Sequence, residues 1–330
     1  MITLAPRPPA PARRGGLRVL AAFISLIVAM ALAVAAPAAP AWAAGRHSGD
    51  LQLASNPDWM SGLPDGASLA ALSIPGTHDT MAYQASIISL TQESALPVQL
   101  QAGVRMLDIR TRHYRDAFPI HHGAEYLRAN FTDVVRSVAA FLAGHPRESV
   151  LMRLKQEHTA AENTRSYEQT LNWYINDNPD TRDLLRDHLW RPPAGYDGRI
   201  PTLGETRGRI VILQDFGSGH GYGPRWNGDR MDLQDDYQLP TLFHIPQKWN
   251  AARTQFEQAG AGAGGILYVN HLSASGGALP KSIAYGALGV TGMNERALTY
   301  LATGSVRRTG VVVADFPGPD LVNTIIARNL

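Results

Sequence analysis

The 330-residue chain has no cysteine, so no disulfide can hold it and the small cross-linked scaffolds are excluded. Its first 43 residues have no acid: Arg7, Arg13, Arg14 and Arg18 precede an apolar run over 19–36, which Pro37 ends. With Ala41-Trp42-Ala43 following, residues 1–43 read as a secretory signal peptide cleaved after Ala43 or Ala44, and the protein is expected to be secreted. The pair Arg13-Arg14 also fits twin-arginine export, on weak evidence. Residues 44–57 are polar and read as a loose N-terminal arm.

The leader carries four of the 30 Lys+Arg and none of the 28 Asp+Glu, so 26 basic residues face 28 acidic ones in the remainder. No basic patch or polybasic run argues for nucleic acid or for electrostatic membrane binding. Roughly 287 residues follow the leader, enough for one large core without staples.

What the chain does have is alternation. Short apolar runs at 71–74, 106–110, 150–154, 210–213, 266–270 and 311–314 are rich in Val and Ile, as expected for strands buried on both faces. Helical patterns lie between them at 131–142, 165–176 and 294–302. No linker composition divides the chain, and the Gly-rich stretches 217–223 and 260–265 read as loops inside one domain, residues 58–330. Strand, crossover helix, strand in this number predicts a single α/β domain of (β/α)₈ type.

Each candidate strand delivers ionisable residues at or just past its C-terminal end: His78 and Asp79; Asp108 and Arg110; His121 and His122; Lys155 and Glu157; Asp315. In an α/β barrel those ends converge on one mouth. Adjacent residues of an extended segment face opposite ways, so one of His121 and His122 is expected to reach the mouth. His78 with one of these histidines suits proton transfer in both directions, and Arg110 with Lys155 suits a phosphate. A phosphodiester cleaved by acid and base is the reading these residue types support.

The segments SIPGTHDT, GVRMLDIRTR, IHHGAEYL, FLAGHPRESVLMRLKQE, GRIVILQ, YVNHLSASGG and GVVVADF, in this order from about Trp59 to Arg328, resemble the bacterial phosphatidylinositol-specific phospholipases C. The resemblance implies a distorted, incompletely closed barrel and no redox cofactor. It implies release of diacylglycerol and inositol 1,2-cyclic phosphate from phosphatidylinositol at a membrane or micelle surface, by an enzyme expected to be monomeric. Position by position, His78 matches the general base and His122 the general acid. Asp79 matches the aspartate that assists leaving-group protonation, and Asp315 the carboxylate that orients the base. Lys155, Asp235 and Tyr237 match positions that contact the inositol ring, with Glu157 behind them as a partner for Lys155.

Calcium-dependent relatives are expected to carry a carboxylate where this chain has Arg110, and a guanidinium there repels a cation and itself binds a phosphate oxygen. No metal is therefore expected, with Asp108 holding Arg110; a calcium site on Asp79, Asp108 and Glu157 is the alternative. Two departures stand out. Asp215 occupies the position where the family places an arginine for the inositol, which opens the alternative of another head group. The rim has Ile87, Ile88, Leu90 and Leu279 in place of tryptophans, which predicts weaker membrane attachment. A non-catalytic phospholipid- or glycan-binding barrel is the third reading, and Trp226, Trp249 and Phe216 read as packing residues.

Overall fold

The strands are short, mostly parallel and joined by connections that include helices, as parallel pairing requires. The computed structural model describes residues 48–330; the leader expected over 1–43 lies outside the described residues. Along the chain run β1 (Ile74–Thr77), β2 (Met106–Thr111), β3 (Pro119–His122), β4 (Glu125–Asn130), β5 (Ser149–Gln156), β6 (Arg209–Asp215), β7 (Met231–Gln234), β8 (Gln238–Leu239), β9 (Leu267–His271), β10 (Ser275–Gly276), β11 (Gly286–Ala287), β12 (Val290–Thr291) and β13 (Val311–Ala314). The helices are α1 (Leu96–Ala102), α2 (Phe131–Gly144), α3 (Tyr167–Asn176), α4 (Arg182–His188), α5 (Leu203–Thr206), α6 (Ile245–Ala261), α7 (Pro280–Tyr285), α8 (Met293–Ala302) and α9 (Pro319–Ile326).

Seven strands pair in parallel in the order β6–β5–β2–β1–β13–β9–β7. Among the described residues β6 and β7 do not pair, so the barrel stays open between them. Residues 224–226 run beside the end of β6 at this opening: Gln214 N–H donates to Pro224 O and Trp226 N–H to Gln214 O, each at 2.9 Å. The fold is thus an α/β sheet curled into an incompletely closed barrel. β3 and β4 form an antiparallel hairpin on the C-terminal end of β2.

The strands alternate inward and outward residues. Ile74, Met106, Leu151, Val211, Leu213, Val269, Val311 and Val313 belong to one buried cluster that fills the barrel. Their outward neighbours Leu107, Ile109, Val150, Met152, Leu154, Ile210 and Ile212 pack with Val134, Val135 and Val138 of α2. α2 starts where it does because Asn130 and Asp133 form a capping box. Ser166 and Gln169 do the same for α3.

Three expectations change. The first strand lies at Ile74–Thr77 instead of 71–74, because Leu69–Ala71 forms a 3-10 turn capped by Ser68 and Pro75-Gly76 continue the strand. β7, with half of its residues polar, gave no apolar run to find. Residues 48–57 are not loose: Ser48–Leu53 is a 3-10 helix, and Leu51 and Ala54 pack with Ala102, Val322 and Ile326. The reason is a distant partner. Buried Arg105, paired with Glu148 at 2.9 Å, donates to Pro57 O at 2.8 Å and Asn56 O at 3.3 Å, while Glu148 accepts Met60 N–H at 3.0 Å.

Gly76 is required by close strand approach, since a β-carbon there would lie 2.8 Å from Met106 Cβ and 3.1 Å from Met106 O. Gly76→Ala is expected to cost about 1–3 kcal/mol, read as a lower urea midpoint. Gly62→Ala, whose added carbon meets nothing within 4 Å, should stay within about 0.5 kcal/mol of the parent. Equal midpoints for the two variants would refute the close-packing argument.

Candidate active site

The parity that fills the barrel also builds the site. Counting inward-facing residues along each strand gives Ile74, Gly76, His78; Met106, Asp108, Arg110; Leu151, Arg153, Lys155; Val211, Leu213, Asp215; Met231, Leu233, Asp235; Leu267, Val269, His271; Val311, Val313, Asp315. The lowest layer is apolar, and the uppermost carries an ionisable group on every one of the seven strands. His122 reaches the same mouth from the β3–β4 hairpin. His121 points the other way, is buried and lies against Tyr126 with ring centroids 5.7 Å apart.

Asp108 organises the centre. Its Oδ2 accepts from Arg110 Nε at 3.0 Å and from the Asp79 backbone N–H at 3.1 Å, and its Oδ1 accepts from Arg153 Nη1 at 3.3 Å. Arg110 then lies with Nη2 2.6 Å from His78 Nε2 and Nη1 3.2 Å from Asp79 Oδ2. His78 Nδ1 is 2.8 Å from Asp315 Oδ1, which leaves Nε2 toward the cavity. His122 Nδ1 donates to Ser89 O at 2.9 Å, which leaves its Nε2 as the nitrogen available to a ligand. The two imidazole centroids are 6.3 Å apart, and Asp79 Oδ2 lies between the rings, 3.6 Å from His78 Nε2 and 3.5 Å from His122 Nδ1. Asp79 holds a left-handed backbone, φ 40°, a strained conformation for an aspartate that its bond to Asp108 helps fix.

Burial and the Arg110 charge hold the His78 imidazole well below its ordinary value. Burial pushes the Asp79 carboxyl up to about 6. Burial, with the nearby Asp79 carboxylate, also raises Asp315 well above the usual range, so its charge is costly until an imidazolium forms beside it. Burial alone would raise Asp108 too, but Arg110 and Arg153 hold it well below. His78, Asp79 and Asp108 offer ligand atoms within 4.8 Å of one another, the geometry of a cation site. Arg110 already engages all three, at 2.6 Å, 3.2 Å and 3.0 Å. A cation there would have to share the space with a guanidinium, and the residues do not fit one.

The cavity above this floor is about 390 Å³ and is lined by His78, Arg110, His122, Arg153, Lys155 and Tyr237, among others. Lys155 Nζ pairs with Glu157 Oε2 at 2.8 Å, and Asp235 also faces the cavity. Ile87 and Ile88 are 69% and 68% exposed, with Ile88 against the 275–280 loop. Phe216 stacks near Tyr167, and Trp249 packs on Tyr300, both as packing residues.

Sequence reasoning missed Arg153 and His271. Arg153 bonds Asp215 Oδ2 through Nε at 2.9 Å and Nη2 at 2.7 Å and lies 4.3 Å over the Trp226 ring. His271 is buried, edge-on to His78 at 6.1 Å, and burial pushes it down to about 4. The period-two rule applied backwards from Lys155 finds Arg153. Applied forwards from Val269, it finds His271.

A family model described as "Phosphatidylinositol-specific phospholipase C, X domain" matches residues 67–215. A 1-phosphatidylinositol phosphodiesterase of Listeria monocytogenes is 31% identical over 286 residues, covering 82% of this chain and 84% of that protein. One of Staphylococcus aureus is 29% identical over 325 residues, covering 87% and 99%. The solved phosphatidylinositol-specific phospholipase C of Listeria monocytogenes superposes with a TM-score of 0.71 at 30% identity, over 83% of this chain and 98% of that one.

With its proton affinity depressed, His78 should bind its proton at lower pH in the folded protein than in the unfolded chain, whose value is near 6.5. Its effect on stability is therefore nil well above pH 6.5 and becomes unfavourable as pH falls below it. In an NMR titration the protonation midpoint of its ring is expected below 6.5; a midpoint at or above 6.5 would refute the depressed value.

Proposed function

The chain belongs to the phosphatidylinositol-specific phospholipase C family, and on that premise we propose that it cleaves phosphatidylinositol to diacylglycerol and inositol 1,2-cyclic phosphate. The observation that carries the reading is the pair of imidazoles, each held through Nδ1, on either side of Arg110 and Asp79, with Arg110 against His78 Nε2.

In the first step the inositol 2-hydroxyl gives its proton to His78 Nε2 while its oxygen bonds to phosphorus. The imidazolium so formed is stabilised by Asp315, whose buried charge then gains a partner. The phosphorus–oxygen bond to diacylglycerol breaks, and His122, protonated on Nε2, supplies the proton that the leaving oxygen needs. Asp79 places its Oδ2 3.5 Å from His122 Nδ1 and so sets a carboxylate beside the acid. Arg110 binds a non-bridging phosphate oxygen; in doing so it gives up its contact with His78 Nε2 and exposes that lone pair to the hydroxyl. The guanidinium thereby does the charge work of a metal ion, and activity needs none. Slow hydrolysis of the cyclic product would run the same proton transfers in reverse, with water in place of the lipid alcohol.

Lys155, Asp235 and Tyr237 line the region left for the ring, offering a cationic donor, an acceptor and an aromatic face. We read the protein as secreted and monomeric, acting on lipid at a membrane or micelle surface that Ile87 and Ile88 touch. The intact partners of both histidines favour catalysis over a binding module.

Phosphorus NMR with phosphatidylinositol micelles in excess EDTA is expected to give a cyclic phosphodiester signal, absent with phosphatidylcholine. His78→Ala and His122→Ala should each lose at least about 10²–10⁴ in kcat; near-parental turnover in either would remove it from the mechanism. Recovery only with calcium would overturn the role of Arg110. Replacing both Ile87 and Ile88 with Ser is expected to lower turnover several-fold on vesicles and to leave that on a dispersed short-chain substrate near parental. Equal turnover on vesicles would remove the two isoleucines from the lipid contact.

A further inference from the structure

Arg153 takes no part in the proton transfers, yet it lines the cavity from the middle layer of the barrel. It is 5% exposed, and a guanidinium removed from water is costly unless its N–H groups are used. Three of them are: Nε and Nη2 donate to Asp215 Oδ2 at 2.9 and 2.7 Å, and Nη1 donates to Asp108 Oδ1 at 3.3 Å. Trp226 lies under the plane at 4.3 Å. Among the described residues, those bonds leave one N–H on Nη1 and one on Nη2 for a ligand.

On sequence, Asp215 put inositol selectivity in doubt. In the fold it opposes Lys155 in the β5–β6 register, while Arg153 opposes Leu213. Asp215 therefore sits above Arg153 and aims it. The carboxylates of Asp215 and Asp108 neutralise the guanidinium, so the fork keeps its donors without a surplus of positive charge. That suits neutral hydroxyls better than a second phosphate.

We propose that Arg153 is a specificity-determining residue that donates to inositol hydroxyls other than the nucleophile, with Asp215 and Trp226 as the residues that position it. The proposal rests on the phospholipase reading and names the part of the site that recognises the ring. The arginine reaches the cavity from β5, the strand next to the one that carries Asp215.

The test compares kcat/KM on two dispersed substrates with the same diacylglycerol leaving group. One is phosphatidylinositol; the other carries a cis-2-hydroxycyclohexyl head group, which keeps the attacking hydroxyl and lacks the remaining ring hydroxyls. The ratio between them is expected to fall about 10- to 100-fold in Arg153→Lys and in Asp215→Asn, with each variant's fold checked by near-ultraviolet circular dichroism. The double variant should fall no further than Arg153→Lys alone, because the second residue acts through the first. Equal losses on both substrates, or an unchanged ratio in Arg153→Lys, would overturn the assignment. An unchanged ratio in Asp215→Asn alone would overturn the positioning role. Failure of the parent protein to cleave phosphatidylinositol would instead overturn the phospholipase reading.

Discussion

The buried carboxylate of Asp108 is the constraint on which the mouth of the barrel depends. It bonds Arg110 on one side and Arg153 on the other, and it holds the backbone N–H of Asp79 in a left-handed turn. A carboxylate this deep would be protonated without cationic partners, and two guanidinium groups this deep would be intolerable without an anion. Each makes the others affordable. The contact to Asp79 then fixes the position of His78, which precedes that turn and has Arg110 against its ring.

Three apolar residues would close the top of each strand; here the third is ionisable on all seven. The lower layer supplies the hydrophobic stability of the barrel, and the upper layer concentrates charge where the sheet ends and water enters. The cost appears as displaced proton affinities: His78 held neutral, Asp79 pushed up to about 6, Asp315 raised. These shifts match the proposed chemistry. A neutral imidazole is ready to accept a proton, and a carboxylate that resists its own charge gains most when an imidazolium appears next to it.

The open seam between β6 and β7 is bordered by an irregular segment. Residues 224–226 lie along β6 there and bring Trp226 under Arg153. At the opposite end of the barrel, Arg105 and Glu148 draw residues 56–60 against the floor. The buried Arg105–Glu148 pair thus organises one end of the barrel, and Asp108 with its two arginines the mouth. Both make the chain's irregular segments part of the structure, where their composition suggests loose loops.

Period-two alternation and the polar residue after each apolar run were local signals, so the α/β class, five of the strands and the group His78, Asp79, Arg110, Lys155 and Asp315 were determined by the sequence alone. The choice of His122 over His121 needed the family resemblance, since alternation says only that the two diverge. What remained was nonlocal. A Pro-Gly pair reads as a turn unless a neighbouring strand lies close enough to require glycine, as Met106 does for Gly76. A polar arm reads as loose until Arg105, some fifty residues on, captures its carbonyls. Arg153 and Asp215 come from different strands, and neither signals the other along the chain. Only the register of β5 on β6 brings them together, and with them the ion pair that holds Arg153 at the cavity.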